Sequence, residues 1–285
     1  MSEGNRWTTT LSVATFAALN VILAIGLNLI SGFCGQVSLG HAAFYGLGAY
    51  AAALASVAGV PFPLAILGGV LVAGAFGIVV GFAALRVRED FLAIVTMGVG
   101  FLFLGVVRKQ PWLGAEMGIA KIPSPLDKWG YAALAIGAAA ALVLLSLHVR
   151  RSWMGRAFGA VAQDEDAARA IGIDVAGYKI AAFFIGTAAA GLAGGIYAHM
   201  TQLIIPDTFN FIQSITILAM VVIGGIGSTY GVVVGAILLT LMPELFRFIN
   251  DYKLLVYGAL LLAVMRFSPG GLAGLVQRAF GVRLA

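Results

Sequence analysis

Long apolar runs, separated by short polar stretches, set the pattern of the chain. The runs are continuous rather than alternating, which is typical of membrane-spanning helices and not of the strands of an outer-membrane barrel. The predicted membrane segments are 9–31, 36–58, 62–85, 91–108, 130–149, 178–199, 211–226, 229–249 and 252–267. Three polar stretches, 86–90, 110–129 and 150–179, lie between them. The pattern predicts an all-α polytopic membrane protein with about eight to ten transmembrane helices.

The amino-acid composition further restricts the class of protein. Of the 285 residues, 61% are hydrophobic and 10% are charged, whereas soluble domains have about 45–50% apolar and about 25% charged residues. This balance excludes a secreted enzyme and a sizeable soluble domain. The net charge of +5 comes from scattered residues, so a nucleic-acid partner is not expected. The single cysteine, Cys34, cannot form an internal disulfide.

The basic residues predict how the chain is oriented. If all nine segments span, Lys and Arg are more numerous at the end that carries 86–90 and 150–179. The positive-inside rule assigns that end to the cytoplasm. We therefore expect the N-terminus outside the cell, the C-terminus inside, and 150–179 as a cytoplasmic loop.

Two glycine-rich stretches are not typical of plain helices. Residues 31–48 and 224–231 hold clusters of glycines and polar groups among the chain's 38 glycines. Glycine costs about 1 kcal/mol in a helix interior, so both stretches predict broken or re-entrant segments. A pair of such segments in the two halves of a chain indicates a transport site. The alternative is that the glycines only allow close helix packing, as in the pair Gly77 and Gly81.

The polar stretch 150–179 contains the signature of a short capped helix. Asp164 can cap its N-terminus, and Glu165 and Asp166 suit the positive end of the helix dipole. Gly172 can take the left-handed position that ends it. From the residues alone, this helix is either a surface that receives force from a partner or an amphipathic helix without one.

A known motif lies in this helix. Asp166, Ala167, Ala168 and Gly172 resemble the Glu-Ala-Ala-x-x-x-Gly signature of bacterial ABC importer permeases, with Asp in place of Glu. In that class the motif forms the coupling helix, which contacts the ATPase subunit. The resemblance therefore implies an ATPase-coupling role for Asp164, Glu165, Asp166, Ala167, Ala168, Arg169 and Gly172.

A wider resemblance covers most of the chain in order. Residues 27–44, 48–50, 155–158, 170–174, 220–236 and 267–272 are similar to signatures of the branched-chain amino-acid permeases. The stretch from Arg86 to Pro125 resembles the LivM-type subunit rather than the LivH-type subunit. Within this stretch the sequence differs from the LivM-type pattern at two places. Phe101 occupies a position that is commonly Glu, and the motif at 113–119 is altered.

The resemblance implies a whole system around this chain. Residues 1–285 would form a single transmembrane permease domain of ABC importer architecture in the bacterial inner membrane, with the coupling loop at 150–179. Its partners would be a LivH-type permease, two ATPase subunits that bind ATP and Mg, a periplasmic or lipid-tethered binding protein, and membrane lipid. Branched-chain amino acids are the implied cargo; urea, short amides and aromatic acids remain alternatives.

Neutral polar residues in the apolar segments are candidates for the translocation path. Charges inside spans are costly and rare, so a path would depend on neutral groups. Each candidate can instead be a hydrogen-bonding residue that joins helices. The candidates are Asn28, Gln36, Ser38, His41, Thr96, Ser214, Thr216 and Ser228.

Enzymatic chemistry is not expected of the chain. It has no Gly-x-x-x-x-Gly-Lys-[Ser/Thr] loop for ATP, no Gly-x-Ser-x-Gly elbow, and no metal-ligand spacing. No cofactor or catalytic residue is predicted. A secondary transporter would need an acidic residue in mid-membrane, but Asp207 and Glu244 lie near predicted span ends. A passive channel would not explain the loop at 150–179.

Overall fold

Apolar α-helices make up almost the whole fold. A computed structural model describes residues 3–87, 89–245, 255–256, 258–259, 262–264, 266, 268 and 270–274. The α-helices in this part of the chain are α1 (Glu3–Leu27), α2 (His41–Val57), α3 (Phe62–Ala84), α4 (Glu89–Lys109), α5 (Lys128–Arg151), α6 (Trp153–Gln163), α7 (Glu165–Ala170), α8 (Val175–Thr201), α9 (Phe211–Gly224) and α10 (Thr229–Leu245). Two-residue strands β1 (Ile119–Ala120) and β2 (Leu203–Ile204) pair antiparallel.

The predicted all-α polytopic fold is confirmed. Within the described residues, 6 helical stretches are long and apolar enough to cross a membrane: Thr10–Phe33, Phe62–Ala84, Phe91–Lys109, Lys128–Arg151, Val175–Thr201 and Pro206–Gly224. The stretch Thr229–Pro243 is a shorter apolar helix. The predicted segment 252–267, the end of 229–249 and the motif at 267–272 lie wholly or partly outside the described residues.

Both predicted helix breaks are present. After α1 the chain continues as a π-helix at Asn28–Phe33, and residues 34–40 then follow an irregular path to the start of α2. We call 34–40 the first break. Residues 225–228 separate α9 from α10 and form the second break. Gly225 and Gly227 have φ of 114° and 81° there, a conformation that side chains of L-residues disfavour.

Glycines also bring the helices into backbone contact, so the packing interpretation holds as well. A Cβ added to Gly69 of α3 would lie 2.6 Å from the carbonyl oxygen of Gly48 in α2. One added to Gly191 of α8 would lie 2.7 Å from the carbonyl oxygen of Gly69. Small residues permit this approach where lipid provides no hydrophobic drive. Helices α2, α3 and α8 therefore form a tightly packed unit.

The two ends of the helix bundle differ in structure. Arg86, Arg169 and Lys179, all assigned to the cytoplasmic side by sequence, line one groove at the end that carries α6 and α7. At the opposite end, Arg108 forms an ion pair with Asp207, close to the β1–β2 pair. The predicted orientation also assigns Arg88, Arg278 and Arg283 to the cytoplasmic side, and these three residues lie outside the described residues.

Adjacent glycines of α3 allow a test of this packing. We expect Gly69→Ala to destabilise the protein by about 1–3 kcal/mol, because the new methyl group meets backbone atoms of α2. Gly68→Ala is the matched control, since nothing lies within 4 Å of its Cβ position. Thermal unfolding in detergent should show a lower midpoint for Gly69→Ala alone. Equal midpoints for the two variants would contradict tight α2–α3 packing.

Candidate functional site

Two other helices provide hydrogen-bond acceptors to backbone amides in and next to the first break. The amide of Leu39 donates to Thr96 Oγ1 of α4 at 2.9 Å. The amide of Ala42, at the start of α2, donates to Ser214 Oγ of α9 at 3.0 Å. Non-helical backbone is tolerated at membrane depth only where protein or water covers it. Thr96 and Ser214, both predicted path residues, therefore hold the break in place.

A hydrogen bond joins the π-helix that precedes the first break to the second break. Asn28, in the π-helix before the first break, accepts a hydrogen bond at Oδ1 from the amide of Gly227 at 2.9 Å. Ser228 Oγ accepts from the amide of Gly231 at 3.2 Å and so caps the first turn of α10. The two glycine-rich stretches meet in the fold, since a Cβ added to Gly32 would lie 2.6 Å from the amide of Gly227.

Several polar groups near the first break remain without a partner among the described residues. They are Oε1 and Nε2 of the Gln36 side chain, the hydroxyl of Ser38 and Nδ2 of Asn28, and all three residues are buried. Buried polar groups normally have a hydrogen-bond partner. Groups of this kind suit a polar solute or water rather than lipid.

The other two path candidates have different surroundings. His41 is buried at the start of α2, and its Nε2 lies 3.3 Å from the position of a Cβ on Gly26. Thr216 is partly exposed, and its hydroxyl donates to the carbonyl oxygen of Ile212 in its own helix at 2.9 Å. Thr216 therefore makes no hydrogen bond to either break.

The predicted capped helix in 150–179 is present as α7, preceded by α6. Asp164 Oδ1 accepts from the amides of Asp166 at 2.9 Å and Ala167 at 3.0 Å. Gly172 has φ of 85° and ends the helix as expected. Ser152 caps α6 by accepting from the amide of Gly155 at 3.4 Å. The local sequence rules thus account for both helices.

The α6–α7 pair packs directly beneath the first break. An apolar cluster joins Phe158 of α6 and Ala168 of α7 to Phe33 and Cys34, at the end of the π-helix. A Cβ added to Gly35 would lie 3.1 Å from Ala162 Cα of α6. A displacement of α6 would therefore meet the backbone of the broken segment.

The outer face of the α6–α7 pair carries exposed apolar and charged groups. Trp153 and Ile171 are exposed, and the guanidinium of Arg156 lies 5.4 Å from the centre of the Trp153 ring. The side chain of Asp166 is 92% exposed and bonds Arg169 at 2.7 Å. Trp and Arg are enriched in protein interfaces, so the exposed pair of Trp153 and Arg156 suits a contact with a partner.

One site residue was missed by the sequence analysis. Lys179 of α8 is buried, with 4% of its side chain exposed, and forms an ion pair with Glu165 of α7. Glu165 is therefore not a freely exposed member of the coupling set. The available signal was that Lys179 is the single Lys or Arg in the apolar sequence of α8. Its partner could not be read from the sequence, because the turn after α7 brings the two residues together.

The two departures noted in the sequence lie toward the end opposite α6 and α7. Phe101 is exposed, and its ring stacks on Phe211 with centroids 5.9 Å apart. The stretch 113–119 forms short 3₁₀ turns that lead into β1. Ile119 of β1 pairs with Ile204 of β2, so the altered stretch is anchored to the segment between α8 and α9.

A groove of about 540 Å³ lies beside α7. It separates the α7 end of the α6–α7 pair from the turn after α3, which contributes Leu85, Arg86 and Val87. Its other lining is mostly polar. Among the described residues, no group of three or more His, Cys, Asp or Glu residues could hold a metal ion.

Comparison with known proteins places the chain among membrane transport proteins. Residues 9–265 match the family model described as the branched-chain amino acid transport system permease component. The chain is 35% identical to the high-affinity branched-chain amino acid transport system permease protein LivM of Escherichia coli, over 92% of this chain and 69% of that protein. It is 24% identical to the corresponding LivH of Escherichia coli, over 91% and 92% respectively. No solved structure matches the chain.

The hydroxyl that supports the first break can be tested by a matched pair of substitutions. We expect Thr96→Val to cost about 1–3 kcal/mol, because the amide of Leu39 loses the acceptor that the buried Thr96 side chain provides. Thr216→Val removes a hydroxyl that bonds only within its own helix, and should change stability by less than about 0.5 kcal/mol. Thermal unfolding in detergent measures both. A Thr96→Val midpoint equal to that of Thr216→Val would contradict this role.

Proposed function

The chain belongs to the branched-chain amino acid transport permease family, and from this premise we propose how it works as one permease subunit of an ATP-driven importer. A second, LivH-type permease and two ATPase subunits would complete the membrane complex in the bacterial inner membrane. A periplasmic or lipid-tethered binding protein would deliver the solute. The ATPase subunits would bind ATP and Mg, since this chain has no phosphate-binding loop.

One observation carries the proposal: the α6–α7 pair touches the first break. Its outer face presents Trp153, Asp166 and Ile171, and its inner face packs against Phe33 and Cys34. We propose that the ATPase subunit contacts the outer face through the exposed members of the coupling set, while Ala168 and Glu165 face inward. The exposed members are Asp164, Asp166, Ala167, Arg169 and Gly172. Movement of the pair during ATP binding would then shift the broken segment and change the side to which the path opens.

The path itself would use the polar groups around the two breaks. Asn28, Gln36, Ser38 and His41 would lie along it, while Thr96, Ser214 and Ser228 would support its backbone. We propose Thr216 as a further path residue on the α9 surface. These groups are neutral and few, which fits a system whose selectivity resides in a separate binding protein.

Branched-chain amino acids are the cargo we propose. The relatives are named for branched-chain amino acid transport, and a weakly polar path suits a solute with an apolar side chain. Urea, short amides and aromatic acids are the alternatives within ATP-driven import. A stand-alone secondary transporter is disfavoured, because the buried side chains of the described spans include no Asp or Glu.

The complex and its cargo can be tested together. The tagged chain is purified from its native membrane in mild detergent, and every co-purifying subunit is identified by mass spectrometry. The complex is then reconstituted with its binding protein, and ATP-dependent uptake of labelled leucine is measured against urea, an amide and phenylalanine. An ATPase, a second permease and preferential leucine uptake are expected. A lone chain or a homo-oligomer in several detergents would contradict the importer, and preference for another solute would overturn the cargo.

Charge reversal at Asp166 tests the ATPase contact. We expect Asp166→Arg to abolish uptake and weaken ATPase co-purification, because a cation would replace the anion on the exposed face of α7. The chain should still fold, since the pair with Arg169 is exposed and contributes little to stability. Glu165 is left intact because its loss would leave Lys179 buried and unpaired.

The matched control for this substitution is Glu116→Arg at the opposite end of the molecule. Glu116 is exposed and acidic, so it receives the same change of charge far from α7. This variant should retain the ATPase during purification. Wild-type uptake and ATPase retention by Asp166→Arg would argue against α7 as the contact.

A further inference from the structure

Lys179 is a buried cation near the start of α8. Its ammonium group faces Glu165 of α7, and 4% of the Lys179 side chain is exposed. A buried charge is strongly destabilising unless it is paired. The pair therefore ties α7 to the base of α8 at one defined position.

Glu165 lies between the buried lysine and the exposed face of α7. One carboxylate oxygen faces Lys179, and the other accepts from Arg169 at 3.1 Å. Arg169 also bonds Asp166 at 2.7 Å. The apolar contacts of Ala168 in the cluster are not directional. The ion pair, by contrast, fixes the orientation of α7 relative to α8.

A short turn and an open groove border α7 on its other sides. The covalent connection to α8 is a short turn through Gly172, whose φ is 85°. On the side facing Arg86 lies the groove of about 540 Å³. The ion pair with Lys179 lies at the base of α8 and provides a directed contact between the two helices.

Helix α8 is packed so closely that it cannot shift alone. A Cβ on Gly186 would lie 2.5 Å from the carbonyl oxygen of Gly26 in α1, and one on Gly194 would lie 2.6 Å from the amide of Ala49 in α2. Gly191 approaches the backbone of α3 in the same way. Because close-packed interfaces transmit displacement rather than absorb it, motion at the base of α8 reaches α1, α2 and α3.

We infer that Lys179 and Glu165 form a positioning link, which passes movement of α7 to α8 and through α8 to the helices around the first break. The inference rests on the proposed function, since it requires that α7 be moved by an ATPase. It adds Lys179 to the residues on which coupling depends, although Lys179 does not reach the outer face of α7.

The test compares charge-neutral variants in the reconstituted complex with its ATPase and binding protein. Glu165→Gln, Lys179→Met and the double variant are measured for labelled leucine uptake per ATP hydrolysed. The double variant leaves no unpaired charge, so it should fold and retain its ATPase. We expect its uptake per ATP to fall about tenfold, within the usual range of coupling between sites.

The single variants test whether loss of the ion pair causes the fall in uptake per ATP. Each should lose about the same factor as the double variant, since all three break one interaction. The control is the same pair of substitutions at exposed positions of the opposite end, Glu116→Gln with Lys121→Met, and it should stay within about twofold of wild type. Monodisperse elution and ATPase co-purification establish that each variant is folded. If a single variant fails to fold, the double variant decides.

Three outcomes would overturn the inference. Wild-type uptake per ATP in the folded double variant would make the ion pair a structural feature only. Losses that multiply in the double variant would mean that the two residues act independently. A wild-type complex without ATP-driven uptake would overturn the proposed function and the link together, whereas the first two outcomes leave the proposed function standing.

Discussion

Backbone hydrogen bonding at membrane depth is the constraint on which the rest of the structure depends. A chain that leaves the helical path among lipids must find other partners for its amides and carbonyls. Here the first break receives the hydroxyls of Thr96 and Ser214, and Asn28 receives the amide of Gly227 in the second break. The positions of α4 and α9 around α2 follow from these needs. The first break thus depends on α4 and α9, and the second break depends on the π-helix that contains Asn28.

The same enclosure explains why glycine is so abundant. Backbone can reach a break, or another helix, only where no Cβ intervenes, as at Gly69 and Gly191. The glycine clusters in the sequence allow two interpretations, broken helices and close packing. Both interpretations are correct, because they have the same cause. A broken segment needs close neighbours, and helices can approach closely only where their residues are small. The resulting unit of α2, α3 and α8 is tightly packed, and the first break leads directly into α2.

Local features of the fold could be predicted from the sequence, and long-range ones could not. The cap at Asp164 and the left-handed stop at Gly172 follow from rules that span a few residues, as do the two breaks. The acceptor roles of Thr96 and Ser214 depend on which helices become neighbours. Lys179 illustrates the same limit: its isolation in an apolar helix indicates a need for a partner, but only the turn after α7 brings Glu165 to it.

Apolar contacts and the ion pair have different roles at the α6–α7 end of the bundle. Apolar contacts hold α6 and α7 against Phe33 without fixing their direction. The ion pair between Glu165 and Lys179, which is largely buried at the edge of the groove, supplies direction. Helix α8, packed backbone to backbone, then extends from that ion pair toward the opposite end of the bundle. A motion that begins at a short surface helix can therefore reach the first break by two routes, through α6 directly and through α8.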